Sequence, residues 1–190
     1  MEVIKTDIEG VVIIEPRIFK DDRGYFYESF SDREFTSKVC KTVFVQDNQS
    51  KSSFGVLRGL HFQKAPYAQS KLVRVLKGKV VDVAVDIRKG SPTYGKHVAV
   101  ELTEDNHRQL FIPRGFAHGF VVLSEEVVFQ YKCDNFYSKE SEGAIMWNDP
   151  DLGIDWGIAE KNAILSDKDK VNSSFKDFDS PFSYDINYYE

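Results

Sequence analysis

The sequence predicts a mainly β protein, a β-sandwich or a barrel of jelly-roll kind. Three observations carry that expectation. Between residues 71 and 133, short apolar and β-branched runs follow one another with brief turns and no helix between them. Aromatic residues make up 14% of the chain, with 15 Phe and 9 Tyr, and flat side chains pack well on pleated surfaces. One stretch alone, Ser31-Asp32-Arg33-Glu34, has the Ser-x-x-Glu form of a helix capping box, and it predicts a short helix at about 32–39.

Taken in order, Val11 to Glu15 reads as a strand closed by Pro16, and Lys20-Asp21-Asp22-Arg23-Gly24 as a turn. Tyr25 to Phe30 is strand-like, and the helix follows. Val43 to Gln49 leads through a loop, Ser50-Lys51-Ser52-Ser53, into the stretch Gly55-Val56-Leu57-Arg58-Gly59-Leu60-His61-Phe62-Gln63. The next strands are Lys71–Leu76, Val80–Ile87, His97–Leu102, Gln109–Ile112, His118–Leu123 and Val127–Cys133, with turns at Lys77-Gly78-Lys79, Lys89-Gly90-Ser91-Pro92, Glu104-Asp105-Asn106 and Pro113-Arg114-Gly115. From Asn148 the chain is loop-like and then charged, and its last fifteen residues show no defined period, so they wrap the outside or fray. The absence of repeats and linkers argues for a single domain over 1–190, with a β core at about 10–147 and an extension at about 148–190.

A chain of 190 residues can bury roughly 70% of its unfolded surface in one core, without metal or disulfide staples. Cys40 and Cys133 are far apart and lack CxxC spacing, which suits free thiols in a reducing compartment. The first residues do not read as a leader, and no apolar run reaches bilayer length, so a cytoplasmic protein without membrane contact is expected. A net charge of -5 argues against nucleic-acid binding, yet a few converging cations could hold one diphosphate locally.

The stretch 55–63 sets a guanidinium and an imidazole three residues apart. Strict alternation places Leu57, His61 and Gln63 on one face and Arg58, Leu60 and Phe62 on the other. A bulge at Gly59, one extra residue in the strand, would bring Arg58 and His61 to the same face, suited to holding an anion and moving a proton beside it. A core histidine with a structural ion pair at Arg58 explains the same residues. The amide-rich Gln46-Asp47-Asn48-Gln49 lines a polar pocket or forms the solvated end of an edge strand.

The four histidines, His61, His97, His107 and His118, contain no His-x-His, which argues against a bound transition metal. His97 and His107 flank turns and are expected at the surface, whereas His118 opens a strand after a glycine turn and is a pocket candidate. Lys71 could snorkel at a strand end, and Tyr131 could be a core tyrosine. Together, His61 as base, Lys71 as cation and Tyr131 as acid make a set for removing a proton beside a ketone.

Five separated motifs then carry a resemblance: Asp22-Arg23-Gly24-Tyr25-Phe26-Tyr27-Glu28, Gln46-Asp47-Asn48, Leu57 to Gln63, Pro113-Arg114-Gly115-Phe116-Ala117-His118-Gly119-Phe120, and Ser166-Asp167-Lys168-Asp169. In that order they resemble the dTDP-4-dehydrorhamnose 3,5-epimerase family over about residues 5–170. The resemblance implies a cupin-type jelly-roll β-barrel with short peripheral helices, acting as a homodimer without metal or organic cofactor on a dTDP-linked 4-keto-6-deoxy sugar. It implies His61 as the base at C3 and C5, Asp169 as the carboxylate behind it, Tyr131 as the acid on the opposite ring face and Lys71 at the enolate. Arg58 and His118 would surround the sugar and diphosphate. Arg23, Phe26, Glu28, Gln46, Asp47 and Asn48 fall at or beside nucleotide contacts, some across a dimer interface. Tyr137 would stack on the base, with Glu142 and Lys168 at further binding positions. A relative that inverts C3 alone, or a silent barrel that only binds sugar nucleotides, would keep many of these residues.

Overall fold

The computed structural model describes residues 1–189. Ahead of the first expected strand, β1 (Glu2–Lys5) pairs antiparallel with β2 (Val12–Glu15), so the sheet begins before the boundary at about 10. An exposed hairpin follows, β3 (Phe19–Asp21) and β4 (Gly24–Phe26), turning at Asp22-Arg23. The strand expected to run to Phe30 stops at Phe26. Helix α1 spans Asp32–Lys38. The Glu34 N–H donates to Ser31 Oγ at 3.5 Å, but the Glu34 carboxylate turns to the Met1 amino group, 2.9 Å away, so only half of the capping box forms.

After α1, β5 (Gln46–Ser53) takes in the segment 50–53 that reads as a loop in the sequence, while 43–45 stays outside the strand. Serine and lysine there serve an edge strand, where solvated side chains are tolerated. The succession then runs β6 (Leu57–Gln63), β7 (Lys71–Lys77), β8 (Lys79–Asp86), β9 (Arg88–Lys89), β10 (His97–Thr103), β11 (Gln109–Ile112), β12 (Phe116–Val122), β13 (Glu126–Cys133), β14 (Glu142–Ala144) and β15 (Phe182–Ser183).

Two sheets face each other. One has the order β1-β2-β11-β7-β13-β5 and the other β10-β8-β12-β6-β14. Their strands pair antiparallel and, apart from β1 with β2, non-consecutively, the arrangement of a jelly-roll barrel. Between them lies a core of Val73, Val75, Val80, Ala84, Leu110, Phe120 and Phe129, among others. β8 and β12 are apolar on both faces because the second sheet is buried on both: Val83, Val85, Ala117 and Val121 point outward into a second cluster. That cluster is closed by residues after β14, including Trp147, Trp156, Phe175, Phe178 and Phe182. The extension therefore wraps the barrel. Its aromatic residues enter from turns, which explains their lack of sequence period. On the first sheet's outer face, α1 seats Phe35 against Ile14, Leu72 and Phe111.

His107, expected at the surface, is buried. Its backbone takes φ +52°, and its ring packs against Tyr25 and Tyr27 at 4.8 and 5.1 Å.

Candidate active site

The pairing of β6 with β12 shows where the strand gains a residue. His61 faces His118 and Arg58 faces Phe120, so Gly59 and Leu60 together oppose Gly119. Glycine is required on both sides. A Cβ on Gly59 (φ +150°) would sit 2.7 Å from the Gly119 Cα, and one on Gly119 would sit 2.7 Å from the Arg58 carbonyl oxygen. The bulge sends Leu57, Leu60 and Phe62 into the outer cluster while Arg58 and His61 line the interior.

The interior is a cavity with two adjoining lobes of about 330 and 230 Å³ that share Asn48, His61, Lys71 and Tyr131. His61 comes from the second sheet, and Tyr131 and Lys71 come from the first. An imidazole and a phenol thus face the same space from opposite walls. Gln46, Tyr137 and Glu142 line the larger lobe, and Arg58 and His118 the smaller. Arg58 is exposed toward solvent and donates to Ser52 Oγ at 3.3 Å.

Asp169 stands behind His61, its Oδ1 2.5 Å from His61 Nε2. The segment that carries it is clamped at both ends. Ile164 bridges Val56, with Leu57 N–H donating to the Ile164 carbonyl at 3.0 Å, and Ser173 bridges Ile145, accepting from Met146 N–H at 2.9 Å. Ser166 Oγ donates to Asp169 Oδ2 at 2.9 Å and accepts the Asp169 N–H at 3.2 Å. Burial alone would push the Asp169 carboxyl up, but His61 and Ser166 outweigh it and hold it below the usual carboxylate range. A carboxylate only accepts, so Nε2 carries the proton and Nδ1 carries the free lone pair.

Burial pushes the Tyr131 phenol up, with Cys133 adding and Arg58 opposing, so it holds its proton at neutral pH. Burial pushes the Lys71 amine down against the pull of Cys133, Asp82 and Glu142. His118 Nε2 lies 3.0 Å from each oxygen of the fully buried Asp82. Burial disfavours charge on both partners, driving Asp82 up and His118 down.

Besides Asp169, which stands behind His61, five sequence candidates do not line this cavity. Arg23, Phe26 and Glu28 border separate surface clefts around the β3–β4 hairpin. Asp47 is exposed and pairs with Lys132 at 3.0 Å, and Lys168 is exposed and reaches Glu142 at 3.1 Å at the rim. Sequence reasoning missed Asp82, Gln63, Gln69 and Cys133. Asp82 had a signal: one acid in the apolar run Val80 to Val85. Among the described residues, no three His, Cys, Asp or Glu side chains converge as a metal ion requires.

Comparison with known proteins adds independent findings. Residues 5–177 match the family model of dTDP-4-dehydrorhamnose 3,5-epimerase. A dTDP-4-dehydrorhamnose 3,5-epimerase of Shigella flexneri is 57% identical over 180 residues, covering 94% of this chain and 98% of that one. The crystal structure of the same enzyme from Elizabethkingia anophelis is 56% identical with a TM-score of 0.89, covering 93% and 97% of the two chains. A Legionella pneumophila dTDP-6-deoxy-D-glucose-3,5-epimerase, solved with dTDP-4-keto-L-rhamnose, is 48% identical with a TM-score of 0.93 and coverage of 97% and 99%.

Proposed function

The chain belongs to the dTDP-4-dehydrorhamnose 3,5-epimerase family; it is an isomerase that inverts C3 and C5 of dTDP-4-dehydro-6-deoxy-D-glucose, and we propose the roles its own residues take. His61 Nδ1 removes the proton from the carbon beside the C4 ketone. Asp169 holds Nε2–H and stabilises the imidazolium that forms. The Lys71 ammonium meets the enolate oxygen, where a fixed cation in a partly dry site counts for more than in water. Tyr131 delivers a proton to the opposite ring face, which inverts the carbon. Solvent then takes the proton from His61 and restores the phenol, and the second carbon follows the same course. Arg58 and His118 hold the diphosphate and sugar, while Gln46, Asn48, Tyr137, Glu142 and Lys168 serve the nucleotide.

The observation that supports these roles best is the placement of the His61–Asp169 pair and Tyr131 on opposing sheets of one cavity. A barrel that only bound nucleotide would need no opposed base and acid.

The reading extends to the assembly. The β3–β4 hairpin exposes Phe19, Tyr25 and Phe26 at 52, 60 and 70%. In a homodimer these rings would be covered, and Arg23, Phe26 and Glu28 would complete the partner's nucleotide site. We read the chain as one epimerase domain working in the cytoplasm.

Incubation with dTDP-4-dehydro-6-deoxy-D-glucose in D2O tests the proposal. Deuterium at both C3 and C5 is expected by NMR. Label at C3 alone would make this a single-carbon epimerase, and no label would remove His61 from the role of base.

A further inference from the structure

Three strand ends meet beside the cavity cation. Lys71 opens β7 and lies between Ile112, the last residue of β11, and Cys133, the last of β13. Beyond these residues the ladder stops, so the backbone of Lys71 is held on one side only by the pairing and on the other by whatever ties Ser70, Arg114 and Asp134. A strand end without such ties frays.

One residue of the tail reaches that junction. The Tyr189 hydroxyl lies 2.6 Å from Ser70 Oγ and accepts the Arg114 N–H at 3.2 Å, which joins the ends of β7 and β11. The Arg114 guanidinium lies over the Tyr189 ring, 5.1 Å from its centroid, and passes the tie to β13: Nε donates to Asp134 Oδ2 at 3.2 Å and Nη2 to the Asp134 carbonyl at 3.3 Å. Asp134 Oδ1 in turn accepts the Ser70 N–H at 2.5 Å. Arg114 Nη1 donates to the Tyr188 carbonyl at 2.5 Å, so the tail is gripped at two successive residues. Ser70 and Asp134 are buried, where a polar group that loses its partner is costly. Ser70, Arg114 and Asp134 fall within the family match over 5–177, whereas Tyr188 and Tyr189 fall beyond it.

We propose that Tyr189 is a positioning residue for Lys71: its hydroxyl ties the ends of β7 and β11, and through Arg114 that of β13, and so fixes the ammonium against the enolate oxygen. Tyr189 lines neither lobe of the cavity and acts only through Ser70 and Arg114. The proposal rests on the epimerase reading for the role of Lys71 and adds what holds that residue in place.

Tyr189→Phe keeps the ring over Arg114 and removes the hydroxyl alone. With dTDP-4-dehydro-6-deoxy-D-glucose in D2O, kcat for exchange at C3 and C5 should fall about 5 to 50-fold while KM stays within about twofold, because a misplaced cation is felt in the transition state. The alkaline limb of kcat should move to higher pH, since water admitted at the end of β7 relieves the burial that lowers the Lys71 pKa. Cys133, Asp82, Glu142 and His118 face the ammonium from β13, β8, β14 and β12 and are the same in both proteins, and burial pushes the Tyr189 phenol up, so it keeps its proton through that limb. Ser70→Ala removes the other end of the same bond, so the double variant should be within about twofold of the slower single one. Ser70→Ala alone supplies the comparison if the phenylalanine variant does not fold. A kcat within about twofold of wild type, an unmoved limb, a KM that rises in step with the loss, or additive losses in the double variant each overturn the proposal. A thermal midpoint that falls while kcat stands marks a tail that only packs, and overturns it too. Wild-type exchange on the same preparation separates the two readings: its absence sinks the epimerase, and its presence beside an unaffected variant sinks only the positioning role.

Discussion

Asp169→Asn is the substitution that isolates the carboxylate's charge from its shape. The amide is nearly isosteric, so the loop clamped at Ile164 and Ser173 should stay in place. What changes is the partner of His61 Nε2, now 2.5 Å from a full carboxylate oxygen. A hydrogen bond to a charged group is worth about 1.5–3 kcal/mol, and each 1.4 kcal/mol on the barrier is about tenfold. Losing the charge that stabilises the forming imidazolium should cut exchange by about 10 to 200-fold. If the new amide nitrogen faces His61 it donates to Nε2, driving the ring proton to Nδ1, and the loss then approaches about 10⁴-fold, as for a triad histidine in the wrong tautomer. The assay is deuterium incorporation at C3 and C5 under saturating substrate, with dTDP affinity measured alongside. Affinity should hold, because Asp169 lies behind the imidazole and does not line the cavity. Exchange within threefold of wild type would refute the claim that Asp169 charges the base.

Three further outcomes are expected. On the proposed roles, Tyr131→Phe removes the acid and leaves the base, so solvent exchange at C3 and C5 should continue while inversion slows at least 100-fold; inversion at the wild-type rate would call for another acid. Lys71 has its pKa lowered by burial, so as pH rises its ammonium is lost earlier than an exposed lysine's and the rate should fall below the ordinary lysine range. Lys71→Arg stays charged and should lose that alkaline limb, so an unchanged limb in the variant would assign it elsewhere. Gly119→Ala forces a Cβ to 2.7 Å from the Arg58 carbonyl oxygen. A cost of about 1–3 kcal/mol, some 2–10 °C in the thermal midpoint of a domain this size, is expected, and a midpoint unmoved within 1 °C would contradict the close contact.

Much of the barrel was legible because its strands carry their own signals. Val80 to Ile87 and Val127 to Cys133 are apolar runs between glycine-bearing or charged turns, and the structure places β8 and β13 there. β5 was displaced because Ser50 to Ser53 has loop composition, yet an edge strand bonded on one side tolerates it. β14 is three residues long and owes its pairing to β6. The bulge was readable from Gly59 because a glycine between apolar strand positions needs a reason, and that reason is Gly119 across the ladder. Asp169 was reachable only through resemblance, since nothing local in Ser166 to Asp169 points to a histidine 108 residues earlier.

The clamped segment around Asp169 also sets an order of events. During synthesis the strand bearing His61 emerges 108 residues before the carboxylate that pairs with it, an interval on the order of 5–20 s at ordinary translation speeds. In that window the nascent barrel can close around Lys71, Tyr131 and the bulge, since all precede residue 134. It cannot yet abstract a proton at full rate. Proteolytic clipping between Trp147 and Ile164 followed by loss of the tail would take away the carboxylate beside His61 and, at the same time, the aromatic residues that close the barrel's outer cluster, so the site and its seal would be lost together.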